Sequence, residues 1–174
     1  MKRPVMLSSL VALALAVAFS FLLITRHPVS ATITPSPLLG KVAPELSGRE
    51  LDGGVFDLAE HRGQIVVVNF WASWCVACVQ EAPALSTFAW HERDRGVVLI
   101  GVIFNDTLSS ARGFERHYGS LYQSLIDPKG IMANSYGVSA PPTTFVIDRR
   151  GRVAVTLLGP VSAAQLYSVI ARVR

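Results

Sequence analysis

Cysteine is scarce in this sequence, and no group of residues suits a structural metal. The 174 residues include two cysteines, Cys75 and Cys78, and four histidines that lie far apart along the chain. Structural zinc needs four ligands, and neither a second cysteine pair nor a mixed cysteine and histidine cluster is present. The sequence therefore argues against a structural zinc site, and the histidines are interpreted as solvated or locally bonded side chains.

The sequence also lacks the charge excess of a nucleic-acid-binding protein. The formal net charge is +4, but Lys2, Arg3 and Arg26 account for much of that excess. From Gly40 onward, 13 lysines and arginines stand against 12 aspartates and glutamates, a net charge of +1. That balance gives no electrostatic footprint for a phosphate backbone, so the sequence argues against nucleic acid as a partner.

Charged residues are absent from the 20 residues Val5–Ile24, which follow Lys2 and Arg3. About 20 apolar residues can cross a hydrocarbon core as a helix. Residues 1–27 are therefore predicted to form a single-pass anchor in the cell membrane, with the rest of the chain on the extracytoplasmic side. The alternative is a signal peptide cut after Val29-Ser30-Ala31, which would release a secreted or periplasmic protein. The apolar run is longer than a typical signal core, which favours the anchor.

Two regions follow the apolar segment. Residues 28–39, with three prolines among serine and threonine, predict a semi-extended tether, and residues 40–174 predict one folded domain. Buried strands are expected at Gln64–Trp71 and Val97–Phe104, with a helix at Cys75–His91 between them. Further strands, helices and a hairpin are expected at Val55–Leu58, Thr107–Tyr118, Leu121–Ile126, Pro128–Tyr136, Thr143–Leu157 and Ser162–Arg174. This order predicts an α/β sandwich with a mixed sheet.

The two cysteines form the motif Trp74-Cys75-Val76-Ala77-Cys78, where a predicted strand turns into a helix. Disulfides persist in exported proteins, so the pair could form a purely structural disulfide. A bridge between residues three apart closes a very small loop, however, and the stabilisation from a disulfide grows with loop length. The spacing and position therefore favour a dithiol/disulfide redox centre.

Three separated segments carry a family pattern: Phe70–Cys78 together with Glu81, then Gly101–Asp106, then Gly137–Asp148. They resemble the active-site helix, the central strand and the cis-proline segment of thioredoxin-fold proteins. The resemblance is to the membrane-tethered extracytoplasmic branch that includes TlpA, ResA and CcmG (DsbE), and it covers about residues 39–173. It implies a thioredoxin-like three-layer sandwich with a central mixed β-sheet.

The resemblance also implies a function. It implies a reducing thiol-disulfide oxidoreductase, commonly one that delivers electrons to the haem-binding cysteines of apocytochrome c during cytochrome c maturation. It implies an electron donor in the membrane, of the DsbD or CcdA kind. No cofactor is expected beyond a redox-active disulfide between Cys75 and Cys78, and no metal is expected.

Cys75 and Cys78 have different predicted roles. Disulfide exchange proceeds by attack of a thiolate on a sulfur, so it needs one exposed cysteine with a lowered pKa. Cys75, in the first turn of the helix, meets unpaired backbone N–H groups and the positive end of the helix dipole, and it is the expected nucleophile. Cys78 lies one turn deeper on the same helical face and is expected to resolve the mixed disulfide.

Glu81 is the predicted acid of the site. It follows Cys78 by three residues on the same helical face, and burial there would raise the pKa of its carboxyl and allow proton exchange with Cys78. The resemblance carries a functional acid at this position, whereas cytosolic thioredoxins place one on the preceding strand, where this chain has Asn69. The alternative is a surface glutamate favoured by the helix dipole.

Pro142 completes the site by resemblance, as a cis-proline that faces the cysteines. The residue before it usually pairs with substrate through a backbone N–H and C=O, but here it is Pro141, which has no N–H, so one hydrogen bond fewer is expected.

Trp74 is expected to shield the site and contact substrate, with simple packing as the alternative. Asp106 or Thr107 is expected to cap the following helix, and capping is the simpler account of Asp106, although relatives carry an acidic loop in this region. Val76-Ala77 departs from the common proline-containing dipeptides, so the reduction potential of relatives does not carry over.

Three other functions remain open from the residues alone. General disulfide exchange among secreted proteins would use the same cysteines. A peroxiredoxin-like peroxidase shares the fold class, although its chemistry does not require a Trp-Cys-x-x-Cys centre. A non-enzymatic metal-binding module would use Cys75 and Cys78 as soft ligands, but no third ligand lies nearby in the sequence.

Overall fold

A computed structural model describes residues 12–21, 30–119 and 122–174. The strands are β1 Thr32–Ile33, β2 Ser47–Arg49, β3 Val55–Asp57, β4 Ile65–Trp71, β5 Val97–Ile103, β6 Gln123–Ile126, β7 Thr143–Ile147 and β8 Val153–Leu158. The helices are α1 at residues 12–21, α2 Val76–Glu92, α3 Leu108–Tyr118, α4 Ile131–Ser135 and α5 Ala163–Val173, and Leu58–His61 is a 3-10 turn. Six strands form one mixed sheet in the order β1-β8-β7-β4-β5-β6.

The centre of the sheet is β4, all seven residues of which are buried. It pairs in parallel with β5, and α2 makes the crossover that two parallel neighbours require. On its other side β4 pairs antiparallel with β7, which forms the predicted hairpin with β8. α2 continues through Pro83 without interruption. The predicted α/β sandwich with a mixed sheet is confirmed.

Helices and a small hairpin cover the two faces of the sheet. Side chains alternate between faces along a strand, so Ile65 and Val67 of β4 pack against α2 and α5. Val66 and Val68 point to the other face, where α4 and the hairpin of β2 and β3 cover them. This arrangement gives three layers and leaves the carboxyl end of β4 at one end of the sandwich.

Some elements differ from the prediction at their ends. α4 begins at Ile131, later than predicted, because Gly130 adopts a left-handed backbone conformation with φ +64°. The strand predicted at Val55–Leu58 ends at Asp57, whose carboxylate accepts a hydrogen bond from the Ala59 N–H and caps the 3-10 turn. β2 forms a hairpin with β3 that the sequence does not predict.

The segment predicted as a tether is docked on the domain over residues 30–39. Thr32 pairs with Leu158, so β1 is the outermost strand of the sheet. Farther along, the Gly40 N–H donates to the Val153 carbonyl at 2.8 Å. The physical reason is that β8 would otherwise expose a row of unpaired backbone groups, which an extended segment satisfies. The folded domain therefore includes residues before the predicted boundary at residue 40.

The predicted anchor, Val5–Ile24, lies partly outside the described residues. Its described part is helical at residues 12–21, and the side chains of Leu13, Leu15 and Val17 are exposed. Within the described ranges, no helix is both long enough and apolar enough to cross a membrane.

Gly101 in β5 makes room for a hydrogen bond behind the cysteines. Trp71 Nε1–H donates to Ser124 Oγ at 3.1 Å, and a Cβ at position 101 would lie 2.6 Å from that oxygen and 2.7 Å from Nε1. We expect Gly101→Ala to lower the free energy of unfolding by about 1–3 kcal/mol, measured by chemical denaturation. Gly113→Ala in α3 is the control, because its nearest neighbour would lie 4.0 Å away. An equal loss in both variants would contradict the packing argument.

Candidate active site

The two cysteines lie where β4 ends and α2 begins. They are joined by a disulfide, with Cα atoms 5.2 Å apart. Cys75 is the N-cap of α2, and its sulfur accepts a hydrogen bond from the Cys78 N–H at 3.1 Å. Backbone N–H groups in a first helical turn have no helical acceptor, so they stabilise negative charge on a sulfur at this position. This geometry supports Cys75 as the nucleophile.

Cys75 is less accessible than the sequence predicts. It is 6% exposed and Cys78 is 2% exposed. The reason is packing in the disulfide-bonded state, because both cysteines belong to an apolar cluster with Leu51, Trp71 and Ala72. Cys75 remains the more accessible of the two, which agrees with Cys78 as the deeper, resolving residue.

Glu81 is buried in the interior on the same face of α2. It is 2% exposed; its Oε1 accepts a hydrogen bond from Asn69 Nδ2 and its Oε2 accepts one from the Val161 N–H, both at 2.9 Å. Burial raises the pKa of Glu81 to about 7, and these two hydrogen bonds limit the increase. The alternative of a surface glutamate is wrong. A carboxyl that titrates near neutral pH, one helical turn from Cys78, can hold or release the proton of the resolving thiol.

Asn69 belongs to the same buried network, a contact that the sequence does not predict. Its Nδ2 donates to Glu81 Oε1 and, at 3.0 Å, to Thr144 Oγ1 in the neighbouring strand. Its Oδ1 is buried and has no hydrogen-bond partner among the described residues. The only signal in the sequence is one amide within a strand of otherwise apolar residues. Asn69 therefore links the central strand to the acid on the helix.

Asn69→Ala is expected to raise the pKa of Glu81 further. The variant removes a donor that stabilises the ionised carboxylate, and a hydrogen bond to a charged group contributes about 1.5–3 kcal/mol, so the midpoint should rise by about one to two pH units. Carboxyl chemical shifts of Glu81 across a pH titration measure this midpoint. Thr144→Val is the matched control, because it removes the other partner of Asn69. A midpoint in Asn69→Ala that is unchanged or lower would contradict the assigned role.

The loop before β7 brings two prolines to the same end of the sheet. The peptide bond between Pro141 and Pro142 is cis, as the resemblance implies. The Pro142 carbonyl accepts a hydrogen bond from the Gly159 N–H at 3.0 Å, and Thr143 pairs with Phe70 at the end of β4. Both prolines line an open groove of about 510 Å³ between this loop and the docked segment before residue 40. The groove offers space for a polypeptide, and Thr143, which also lines it, pairs with Phe70 near the end of β4.

The loop after β5 holds the turn that precedes Cys75. Trp74 is 56% exposed, and its indole N–H donates to the Asn105 carbonyl at 3.2 Å. Asp106 Oδ2 accepts a hydrogen bond from the Ser73 N–H at 2.6 Å. The cap of α3 is Thr107, so the interpretation of Asp106 as a helix cap is wrong. The carboxylate instead fixes the turn between β4 and α2, and the exposed indole is free to meet a substrate.

Known proteins match this chain over most of its length. The model of the AhpC/TSA family matches residues 39–156. The thiol-disulfide oxidoreductase ResA of Bacillus anthracis is 29% identical over 135 residues, which is 78% of each chain. The thiol:disulfide interchange protein DsbE of Allochromatium vinosum is 33% identical over 171 residues, 94% of this chain and 93% of that protein. A solved thiol:disulfide interchange protein of the thioredoxin family from Chlorobium tepidum is 25% identical, with a TM-score of 0.71, and covers 80% of this chain and 99% of its own.

The matches and the site geometry point to the same chemistry. The relatives carry thiol-disulfide activity in their names, and this chain places a disulfide-bonded Cys75 and Cys78 at a helix N-terminus. The thioredoxin-like fold that the sequence predicts is confirmed by the likeness to the solved structure. This chain belongs to the AhpC/TSA family of thioredoxin-like proteins and is a thiol-disulfide oxidoreductase of the ResA and DsbE type.

Proposed function

We propose that this protein reduces the disulfide of apocytochrome c outside the cytoplasm, before haem attachment, and receives its electrons from a membrane donor of the DsbD or CcdA kind. The observation that carries the proposal is the buried carboxyl of Glu81 beside the cysteine pair, with its pKa raised to about 7. Such a group lets the resolving thiol lose its proton inside the fold. The resemblance to the TlpA, ResA and CcmG branch supports the substrate and the donor.

The proposed reaction transfers two electrons and two protons. The Cys75 thiolate attacks one sulfur of the substrate disulfide, which forms a mixed disulfide and releases one substrate thiolate to be protonated. Cys78 then gives its proton to the Glu81 carboxylate and attacks the sulfur of Cys75. This step releases the second substrate sulfur as a thiolate, which takes up a proton from the solvent, and it leaves the disulfide seen in the structure and a protonated Glu81 that returns its proton to the solvent. A dithiol of the membrane donor reverses the sequence and restores the reduced pair.

The groove beside Pro141 and Pro142 is the proposed binding site of the substrate chain. An extended segment that lies along Pro141 can pair with its carbonyl but not with a backbone N–H, because proline has none. Trp74, the residue before Cys75, supplies an exposed aromatic face. Aromatic surface of this kind binds polypeptide at low cost in conformational entropy. We therefore expect contacts to side chains to carry more of the substrate affinity than main-chain pairing.

Cys78→Ala is expected to trap the substrate. Without the resolving thiol, the mixed disulfide between Cys75 and the substrate cannot be cleared by the enzyme itself. Non-reducing electrophoresis and mass spectrometry of membranes from cells that express the variant should identify apocytochrome c linked to Cys75. The control is the same variant with Cys75→Ser added, which should retain nothing. A broad set of secreted proteins in place of apocytochrome c would reject the proposed substrate and favour general disulfide exchange.

A peroxidase is the second candidate, because the matching family model is that of AhpC/TSA proteins. A peroxidase would consume hydrogen peroxide with the reduced cysteines as the electron source. We expect the reduced protein to consume peroxide no faster than a free dithiol does, since the site is built around a close cysteine pair and a buried acid. Catalytic peroxide turnover would favour this second candidate over disulfide reduction.

A further inference from the structure

One short turn connects the cis-proline loop to the buried acid. Gly159, Pro160 and Val161 form this turn, the 159–161 turn, between β8 and α5. The Gly159 N–H donates to the carbonyl of the cis-proline Pro142 at 3.0 Å. The Val161 N–H donates to Glu81 Oε2 at 2.9 Å. The place of the second donor therefore depends on what holds the 159–161 turn.

Ala31 holds this turn through its backbone. Its N–H donates to the Pro160 carbonyl at 2.8 Å, and its carbonyl accepts a hydrogen bond at 2.7 Å from Nε2 of Gln165, in the first turn of α5. Ala31 is 7% exposed and belongs to the same apolar cluster as Val161. Its two hydrogen bonds lie before and after Val161 in the sequence, so they restrict the backbone between them.

The side chain of Gln165 supports a specific contact to Ala31. Among the described residues, the hydrogen bond from Nε2 to the Ala31 carbonyl is the only one that this side chain makes. Its Oε1 is buried and has no partner in the same part of the chain. A buried polar atom without a partner destabilises a fold, and a leucine would fill similar space without one. Packing alone therefore does not explain an amide at this position, whereas the contact to Ala31 does.

We infer that Ala31 is a positioning residue of the thiol-disulfide reaction: through the 159–161 turn it holds the Val161 N–H against Glu81, so that this carboxyl can take the proton of Cys78. The inference rests on the proposed role of Glu81 as the proton acceptor of Cys78. An N–H that donates to a carboxylate stabilises the ionised form, which is the form that accepts a proton. The segment that the sequence predicts as a tether thus contributes to the site through its backbone.

Simple coverage of β8 is the competing explanation for the docked segment. The Thr34 N–H donates to the Thr156 carbonyl at 3.0 Å, a hydrogen bond of the same kind as that of Ala31. Thr156 lies within β8, three residues before the 159–161 turn. Loss of the Thr34 hydrogen bond therefore weakens docking without removing a contact to the turn. The two N–H groups separate docking from positioning.

The titration of Glu81 can be measured without interference from its neighbours. Cys78, on the same helix, does not titrate in the disulfide-bonded protein. Asn69 on β4 does not titrate, and the 159–161 turn has no titratable side chain. Burial and then the charge of Glu81 raise the pKa of Tyr122, so its phenol stays neutral where Glu81 titrates. A titration of the oxidised protein thus reports on the carboxyl and its donors.

Two variants of the full-length protein in detergent micelles test the inference. Ala31→Pro removes the N–H that donates to Pro160 but keeps an apolar side chain, and Gln165→Leu removes the other contact at similar volume. Carboxyl chemical shifts of the oxidised protein should show that the midpoint of Glu81 rises by about 0.5–1 pH unit in each, because the Val161 N–H is loosened but not lost. Thr34→Pro is the matched control and should leave the midpoint unchanged.

The second step of disulfide exchange supplies a readout that simple destabilisation would not move. The reduced variants are mixed with a dye-labelled disulfide peptide, and release of the second thiol is followed across the pH range. The pH at which release accelerates should rise with the midpoint in Ala31→Pro and Gln165→Leu, but not in Thr34→Pro. A midpoint that is unchanged in Ala31→Pro and Gln165→Leu, or that falls towards 4.5, overturns the inference. An equal rise in Thr34→Pro also overturns it, as does a mature chain that begins at Thr32.

The proposed function fails separately from this inference. The midpoint of Glu81 is measured without any substrate, so it does not depend on which disulfide the protein reduces. A shifted midpoint with an unmoved pH profile of the second step would reject proton transfer from Cys78 to Glu81. Trapping with Cys78→Ala decides the substrate, and the midpoints alone decide whether Ala31 positions the donor of Glu81.

Discussion

Cys75→Ser is expected to abolish disulfide exchange while it leaves the fold intact. Serine is a preferred N-cap, so it can accept the hydrogen bond from the Cys78 N–H that the sulfur accepts here at 3.1 Å. It cannot form a disulfide with substrate, so the first step of the reaction is lost. Reduction of a disulfide peptide should fall to the uncatalysed background, a loss of about a thousandfold or more.

Ser73→Ala, two residues before Cys75, is the control for this experiment. Ser73 contributes its backbone N–H to the turn, where it donates to Asp106, and alanine retains that group. Its activity and its denaturation midpoint should match those of the unmodified protein. Appreciable turnover by Cys75→Ser, with the single remaining thiol of Cys78 consumed in the reaction, would contradict the assignment of Cys75 as the nucleophile.

Glu81→Gln is expected to remove a pH dependence from both stability and reactivity. Burial raises the pKa of Glu81 from its ordinary value of 4.5 to about 7, so between these values the folded state binds a proton that the unfolded state has lost. The contribution of Glu81 to stability is therefore fully present below about pH 4.5 and is lost as the pH rises through 7, by about 3 kcal/mol in all. Glutamine has no such titration, and urea denaturation across this range should show that the contribution is gone.

The same variant should change the second step of disulfide exchange. The Glu81 carboxylate accepts the proton of Cys78 only when it is ionised, so resolution of the mixed disulfide should accelerate as the pH rises through about 7. Glu81→Gln should resolve more slowly and lose that acceleration. Glu60→Gln, in the 3-10 turn, is the matched control, because Glu60 is exposed. Identical pH profiles for Glu81→Gln and Glu60→Gln would refute the assigned role.

The central elements could be predicted because their signals are local. Two apolar runs are long enough to be buried strands, Ile65–Trp71 and Val97–Ile103. The cysteine motif marks the start of the helix between them. β1 and β2 contain two and three residues, too few to show a period, and they form only because neighbouring strands offer unpaired backbone groups. For the same reason the sequence predicts a tether before residue 40, although this segment docks on β8.

The site was predictable to the extent that it lies on one helix. Cys75, Cys78 and Glu81 follow at intervals of three residues, so their common face is evident from the sequence. Burial raises the pKa of Glu81 to about 7, and the two hydrogen bonds that limit the increase come from Asn69 on β4 and Val161 before α5, which are far apart in the sequence. No local pattern indicates which distant donors will meet a buried carboxylate.

The most direct test of the account is a single turnover between the reduced protein and oxidised apocytochrome c. Rapid acid quenching followed by thiol labelling and mass spectrometry counts free cysteines in both partners over time. The account predicts that two thiols appear in apocytochrome c for each Cys75–Cys78 disulfide that forms, through a transient species linked at Cys75. If apocytochrome c stays oxidised while the reduced protein keeps both of its thiols, disulfide reduction is not what this site does.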